Sequence, residues 1–133
     1  WPPADGSGNY ADITASDGEY TPIDESIEDY NDNFELLAPV GKFKANNLGV
    51  FDLGGNVREW VSDQFKEGDV YGVLRGGGFK SYRPNHLELR FRDIVEPEER
   101  GITNGFRVVL ARELLEELTE VEEDEIEKDN GGN

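Results

Sequence analysis

The chain has no cysteine and no methionine, and only one histidine, in 133 residues. Without cysteine there is no disulfide, no thiolate metal site and no thiol nucleophile. A translated protein starts with Met, so a chain that opens on Trp1 is expected to be a processed product or a piece of something longer. No apolar run approaches the roughly 18 residues of a membrane span, and nothing has the pattern of a signal peptide. The length suits one domain or part of one, burying about two-thirds of its unfolded surface.

Positive charge is also scarce, and it is unevenly placed. Residues 1–41 hold ten acids and no Lys or Arg, residues 42–112 ten acids and twelve bases, and residues 113–133 ten acids and one Lys. The net charge is −17. Such a field repels phosphate backbones and attracts divalent cations and basic partners, so nucleic acid is not expected as a partner. For the last block, solubility alone is an equally good reading.

Residues 1–35 are rich in Gly, Pro, Asp, Ser and Asn and are expected to be mostly loop. Residues 38–44 read as a short strand and turn, and residues 47–60 begin with a Gly-marked turn. Val57, Trp60 and Val61 recur at i, i+3, i+4, which predicts a short helical turn. Residues 70–74 and 87–91 are strand candidates, the second because Leu87, Leu89 and Phe91 alternate with charged residues. Residues 94–103 read as a polar loop and 106–110 as a final strand. Leu114, Leu115, Leu118 and Val121 predict a helix from residue 111, which passes into an acidic tail too polar to order itself.

The residues that carry chemistry are few. Asp52 and Glu59 flank Gly54, Gly55 and Asn56. Calcium takes six to eight oxygens, and an irregular Gly-Gly turn frees backbone carbonyls to join two carboxylates. The competing reading has Asn56 capping the turn, Glu59 meeting an Arg, and Trp60 in the core. Ser81 and His86 do not make a hydrolase, because no GxSxG elbow is present. Gly76, Gly77 and Gly78 lack the Lys-Ser/Thr pair of a phosphate loop. Arg75, Arg90, Arg92 and Arg107 lie close to strand segments and are candidates for a carboxylate-binding pocket.

Three ordered segments, GVFDLGGNVREWVSD (49–63), VLRGGGF (73–79) and NGFRVV (104–109), resemble the C-terminal half of the formylglycine-generating-enzyme, or sulfatase-modifying-factor, family. The resemblance implies an α+β, loop-rich, C-type-lectin-like fold over residues 1–112, with residues 113–133 beyond the family pattern. For Arg75, Arg90, Arg92 and Arg107 it implies structural pairs with carboxylates instead of a pocket. It also implies two calcium sites. One would use the side chains of Asp52 and Glu59 and the carbonyls of Gly55 and Val57. The other would use the side chains of Asn9 and Asp32 and the carbonyls of Tyr10 and Phe34, with Asp29 or Asn31 as alternatives to Asp32. Calcium in turn favours an extracytoplasmic location.

In the family's oxidases two copper-binding cysteines fall at Ser81 and close to His86; serine and a lone histidine cannot give a dithiolate copper centre, so oxygen activation by that route is not expected. The function it implies is a non-catalytic, calcium-stabilised binding or assembly domain. A protein or peptide ligand would sit near Lys80, Ser81, Tyr82, Arg83 and His86. The alternative is the C-terminal half of a cysteine-less enzyme, similar to sulfoxide synthases or a pyoverdine-maturation protein, with catalytic groups elsewhere. The family domain is about twice this length, so Val50, Phe51, Trp60, Phe79, Leu89, Phe91 and Phe106 are expected to lack part of their cover. That cover would come from a missing N-terminal half or a companion chain.

Overall fold

The computed structural model describes residues 1–16 and 25–110. Among these residues regular structure is sparse: a one-turn helix α1 (Ile13–Ser16), four short strands β1 (Arg58–Val61), β2 (Gly72–Arg75), β3 (Asp93–Val95) and β4 (Asn104–Phe106), and a 3-10 turn (Pro84–Leu87). The strands form one mixed sheet in the order β3-β2-β1-β4. Strand β1 is antiparallel to β2 and parallel to β4, and β3 is antiparallel to β2. This loop-rich α+β arrangement is the one expected.

The centre of the sheet is β2, where Val73 and Leu74 are both fully buried. Burial of consecutive residues means both faces of β2 are covered. Gly72 is required by its neighbour, since a Cβ there would lie 2.1 Å from the Trp60 ring. A second core lies among the loops, where Tyr10, Ile27 and Tyr30 pack with Tyr82 and Leu87. Thus the strandless N-terminal segment is tied to residues 76–87. The Ala11 amide donates to the Ser81 carbonyl at 3.1 Å.

Several local expectations are corrected. The i, i+3, i+4 pattern at Val57, Trp60 and Val61 is not a helical turn; residues 58–61 are strand β1. Five residues are too few to separate the two periods, and pairing with β2 on one side and β4 on the other supplies the backbone bonds. The alternating segment 87–91 is not a strand. Pro84 opens a 3-10 turn ending at Leu87, and the Phe91 amide closes a further turn on the Glu88 carbonyl at 2.9 Å. The strand comes later, at 93–95, in the segment read as loop. Residues 38–44 contain the turn, closed from Lys42 to Pro39, but no strand. The last strand ends at Phe106, where it was expected to begin. The helix expected from residue 111 lies outside the described residues.

Of the apolar set expected to lack cover, Phe79 is buried in the described structure, Val50, Trp60 and Phe91 are half-buried and Phe51 is exposed. Leu89 and Phe106 are 75% and 76% exposed. Val108 and Val109, just beyond the sheet edge at β4, are 83% and 78% exposed.

Candidate functional site

Asn56 joins three of the sequence motifs. Its backbone is left-handed (φ 62°), a conformation that Asn adopts more readily than most residues. There its Oδ1 accepts from the Ala38 amide (2.9 Å) and from Asn9 Nδ2 (3.1 Å), while its Nδ2 donates to the Ala38 carbonyl (3.1 Å). Its own amide donates to the Asn9 carbonyl at 2.8 Å, and its carbonyl accepts from Phe79 at 2.9 Å. The expected role of Asn56 as a local cap is therefore too small: it reaches across the chain. A polar residue following Gly-Gly was the signal in the sequence.

On one side of Asn56 lie Asn9, Tyr10, Asp32 and Phe34. The Asn9 amide is oriented by donation from Nδ2 to the Leu36 carbonyl (2.6 Å) and to Asn56. Its Oδ1 is buried, with no hydrogen-bond partner among the described residues. The Asp32 carboxylate accepts from the Tyr10 amide (2.8 Å) and the Phe34 amide (2.9 Å). Asp32, not Asp29 or Asn31, is thus the acid brought to Tyr10; Asn31 instead accepts from Thr14 and Asn33. Burial pushes the Asp32 carboxyl up to about 6; the two amide bonds oppose this and the nearby Asp12 charge adds to it. Asp12, which the sequence reading did not single out, is fully buried. It accepts from Asp32 (2.6 Å) and Ala15 (3.0 Å) amides.

On the other side Asp52, Gly55, Val57 and Glu59 line one cavity of about 190 Å³, with Val40, Phe106 and Arg107 on its wall. Asp52 Oδ2 accepts from the Gly41 amide at 2.6 Å. Its Oδ1, like that of Asn9, is buried and unpartnered among the described residues. Glu59 is held by Arg107, whose Nε lies 2.9 Å and Nη2 2.6 Å from its two carboxylate oxygens; Nη2 also donates to the Asp52 carbonyl at 3.0 Å. The expected Glu–Arg pairing and the expected clustering with Asp52 therefore coexist. Among the described residues no three His, Asp or Glu side chains converge, so a metal at either place would rely on amide and backbone oxygens as well. Of the three buried side-chain oxygens without a partner among the described residues, those of Asn9 and Asp52 belong to the expected ligand sets, and the third is Ser7 Oγ. On that ground the residues fit a hard divalent cation.

The third place is a cavity of about 240 Å³ lined by all five residues of the expected ligand surface, Lys80, Ser81, Tyr82, Arg83 and His86. His86 stacks on Phe91 with ring centres 4.6 Å apart, and Ser81 Oγ accepts from the Gly78 amide at 3.0 Å. Arg58, which the sequence reading passed over, pairs with Asp93 and donates to Asn104 at 2.7 Å. The glycine run is closely packed: a Cβ on Gly76 would lie 2.8 Å from the Leu53 carbonyl.

Comparison with known proteins adds the following. Residues 5–112 match the sulfatase-modifying factor enzyme 1-like domain. The chain is 33% identical over 84 residues to the chaperone protein LppX of Paenibacillus barcinonensis, covering 60% of this chain and 30% of that protein. It is 32% identical over 105 residues to the serine/threonine-protein kinase pkn1 of Chlamydia caviae, covering 65% of this chain and 17% of the kinase. It therefore spans less than a third of the length of these relatives. Treponema denticola variable protein 1 shares the fold at 22% identity, with a TM-score of 0.52 over 76% of this chain and 34% of that one. PvdO from Pseudomonas aeruginosa aligns with a TM-score of 0.51 at 27% identity, over 68% of this chain and 41% of that one.

Proposed function

From the premise that this chain belongs to the sulfatase-modifying factor enzyme 1-like domain family, we propose that it is a non-catalytic, calcium-stabilised binding or assembly domain. The observation that carries this reading is the pair of buried, unpartnered oxygens on Asn9 and Asp52. An oxygen removed from water without a partner costs about 1–3 kcal/mol. Two such oxygens, on residues that also sit beside Asp32 and Glu59, are a reason to expect cations there. Calcium bound at each place would offset the carboxylate charge and tie together loops that have little secondary structure. Asn9, Tyr10, Asp32 and Phe34 would hold one ion, and Asp52, Gly55, Val57 and Glu59 the other.

The absence of thiols at Ser81 and His86 supports a non-catalytic role toward cysteine substrates. So does the way the matched region recurs as a minor part of proteins with different names, a chaperone protein and a protein kinase. The exposed Phe106, which shares a cavity wall with Val40, and the exposed Val108 and Val109 that follow it supply apolar surface for assembly with a companion segment or chain. The second reading is part of a cysteine-less enzyme, favoured by the alignment with PvdO. Calcium titration by calorimetry, with melting curves in calcium and in chelator, tests the first reading. Heat of binding and a raised melting temperature are expected; an identical melt in both buffers removes the calcium sites from the proposal.

A further inference from the structure

Six of the thirteen bases of this acidic chain line two cavities that share a wall. The cavity that holds Lys80 and Arg83 meets a second, open one of about 730 Å³ that holds Arg75 and Arg92, and Phe91 lines both. Two carboxylates in this groove are already paired, Asp93 with Arg58 and Glu88 with Arg90. No carboxylate of the described residues pairs with Lys80, Arg83, Arg75 or Arg92. Arg83 Nε donates to the Tyr82 hydroxyl and Arg75 Nη1 to the Leu89 carbonyl, so both are positioned by groups that do not neutralise them. Four cations without a carboxylate partner among the described residues, around an aromatic floor in a chain of net charge −17, suit an anionic polymer as occupant.

We propose that this groove is a carboxylate-binding site and that its occupant is the chain's own acidic segment, residues 113–133. The proposal rests on reading this surface as the ligand surface of a binding domain. That segment has ten acids and one Lys and follows β4 after a few residues. At about 3.3 Å per extended residue, its 21 residues reach some 70 Å, beyond the dimensions of a domain this size. Two physical terms favour it over an acidic segment of another protein. A tethered segment acts at an effective concentration near the millimolar range, and a separate acidic chain must first approach a −17 molecule.

Carbodiimide coupling on the full chain tests this. The reagent joins a lysine amine to a neighbouring carboxylate with loss of water, and mass spectrometry locates the bond. Lys80 is expected to couple to acids of residues 113–133 at low salt in preference to Lys42, Lys44 and Lys66. The preference should be lost in 0.5 M NaCl, where the Debye length falls to about 4 Å. It should also be lost when Arg83 and Arg92 are replaced by Glu, or, with the groove untouched, when the acids of 120–127 are replaced by Gln and Asn. Coupling spread evenly over the lysines, or indifferent to salt and charge reversal, overturns the proposal. Mixed-isotope products from a blend of labelled and unlabelled chain also overturn it, because they place the segment on a second copy. Calcium calorimetry on the same samples separates this from the function above. Coupling lost with calcium binding intact refutes the groove alone, and the reverse refutes the calcium reading alone.

Discussion

Replacing Asn56 by Ala is the sharpest test of how the loops are held. The side chain makes three buried hydrogen bonds, to the Ala38 amide, the Ala38 carbonyl and Asn9 Nδ2. At about 1 kcal/mol each their loss costs about 3 kcal/mol. The left-handed backbone at residue 56 adds about 1 kcal/mol, because Ala tolerates it less well than Asn. A total of about 4 kcal/mol is a large share of the 5–15 kcal/mol that holds a typical domain. With a urea slope of about 2 kcal/mol per molar, the unfolding midpoint should fall by about 2 M. Trp60, half-buried beside Gly72 in the sheet, is the fluorescence reporter. Protein concentration must be held fixed, since self-association links stability to it. Asn56→Gly loses the same bonds but not the backbone fit, so it should be about 1 kcal/mol milder than Ala. A midpoint shift below about 0.5 M for Asn56→Ala, or a Gly variant worse than Ala, would refute the reasoning.

Other outcomes follow from the same geometry. Glu59→Gln should lower calcium affinity and the calcium-dependent rise in melting temperature together, because a ligand of the native state stabilises by mass action. Arg107→Ala should do the opposite to affinity, by freeing the Glu59 carboxylate, while lowering calcium-free stability; titration calorimetry reads both. The Asp32 carboxyl, raised from 3.8 to about 6, holds its proton more tightly folded than unfolded. In chelator its contribution should therefore be greatest below about pH 4 and decline as pH rises to about 6, and calcium should oppose that decline. Denaturation series from pH 4 to 7 that show no such window argue against a buried, protonatable Asp32. Copper should not enable this chain, even with an upstream half supplied, to convert a sulfatase peptide cysteine to formylglycine. Mass spectrometry of the peptide checks this. Residues 1–133 alone should self-associate, and sedimentation showing a compact monomer with a sharp melt would mean Phe106, Val108 and Val109 need no cover.

The motifs around Asp52–Glu59, Gly76–Phe79 and Asn104–Val109 were enough, by themselves, to give the family and its loop-rich α+β fold. Such a fold is fixed by glycines, left-handed turns and buried polar side chains, and these leave marks in the sequence that do not depend on strand length. The lack of any thiolate donor in these 133 residues was legible for the same kind of reason, since no arrangement in space restores an absent atom. Strand positions were less legible. Segments of three to five residues carry too few repeats to separate period 2 from period 3.6. Tertiary partners decided that residues 58–61 are extended and that 87–91 are not, because β1 finds β2 and β4 while the alternation at Leu87, Leu89 and Phe91 finds no strand to pair with. The same holds for the sites. Asp52 and Glu59 are close in sequence and could be linked from it. That Arg107, 48 residues away, holds Glu59, and that Asn56 orients Asn9 across 47 residues, are consequences of packing alone. So is the grouping of Lys80, Arg83, Arg75 and Arg92 around Phe91. Charge along a chain adds up without reference to the fold, but which charges face one another is decided only when the chain has closed on itself.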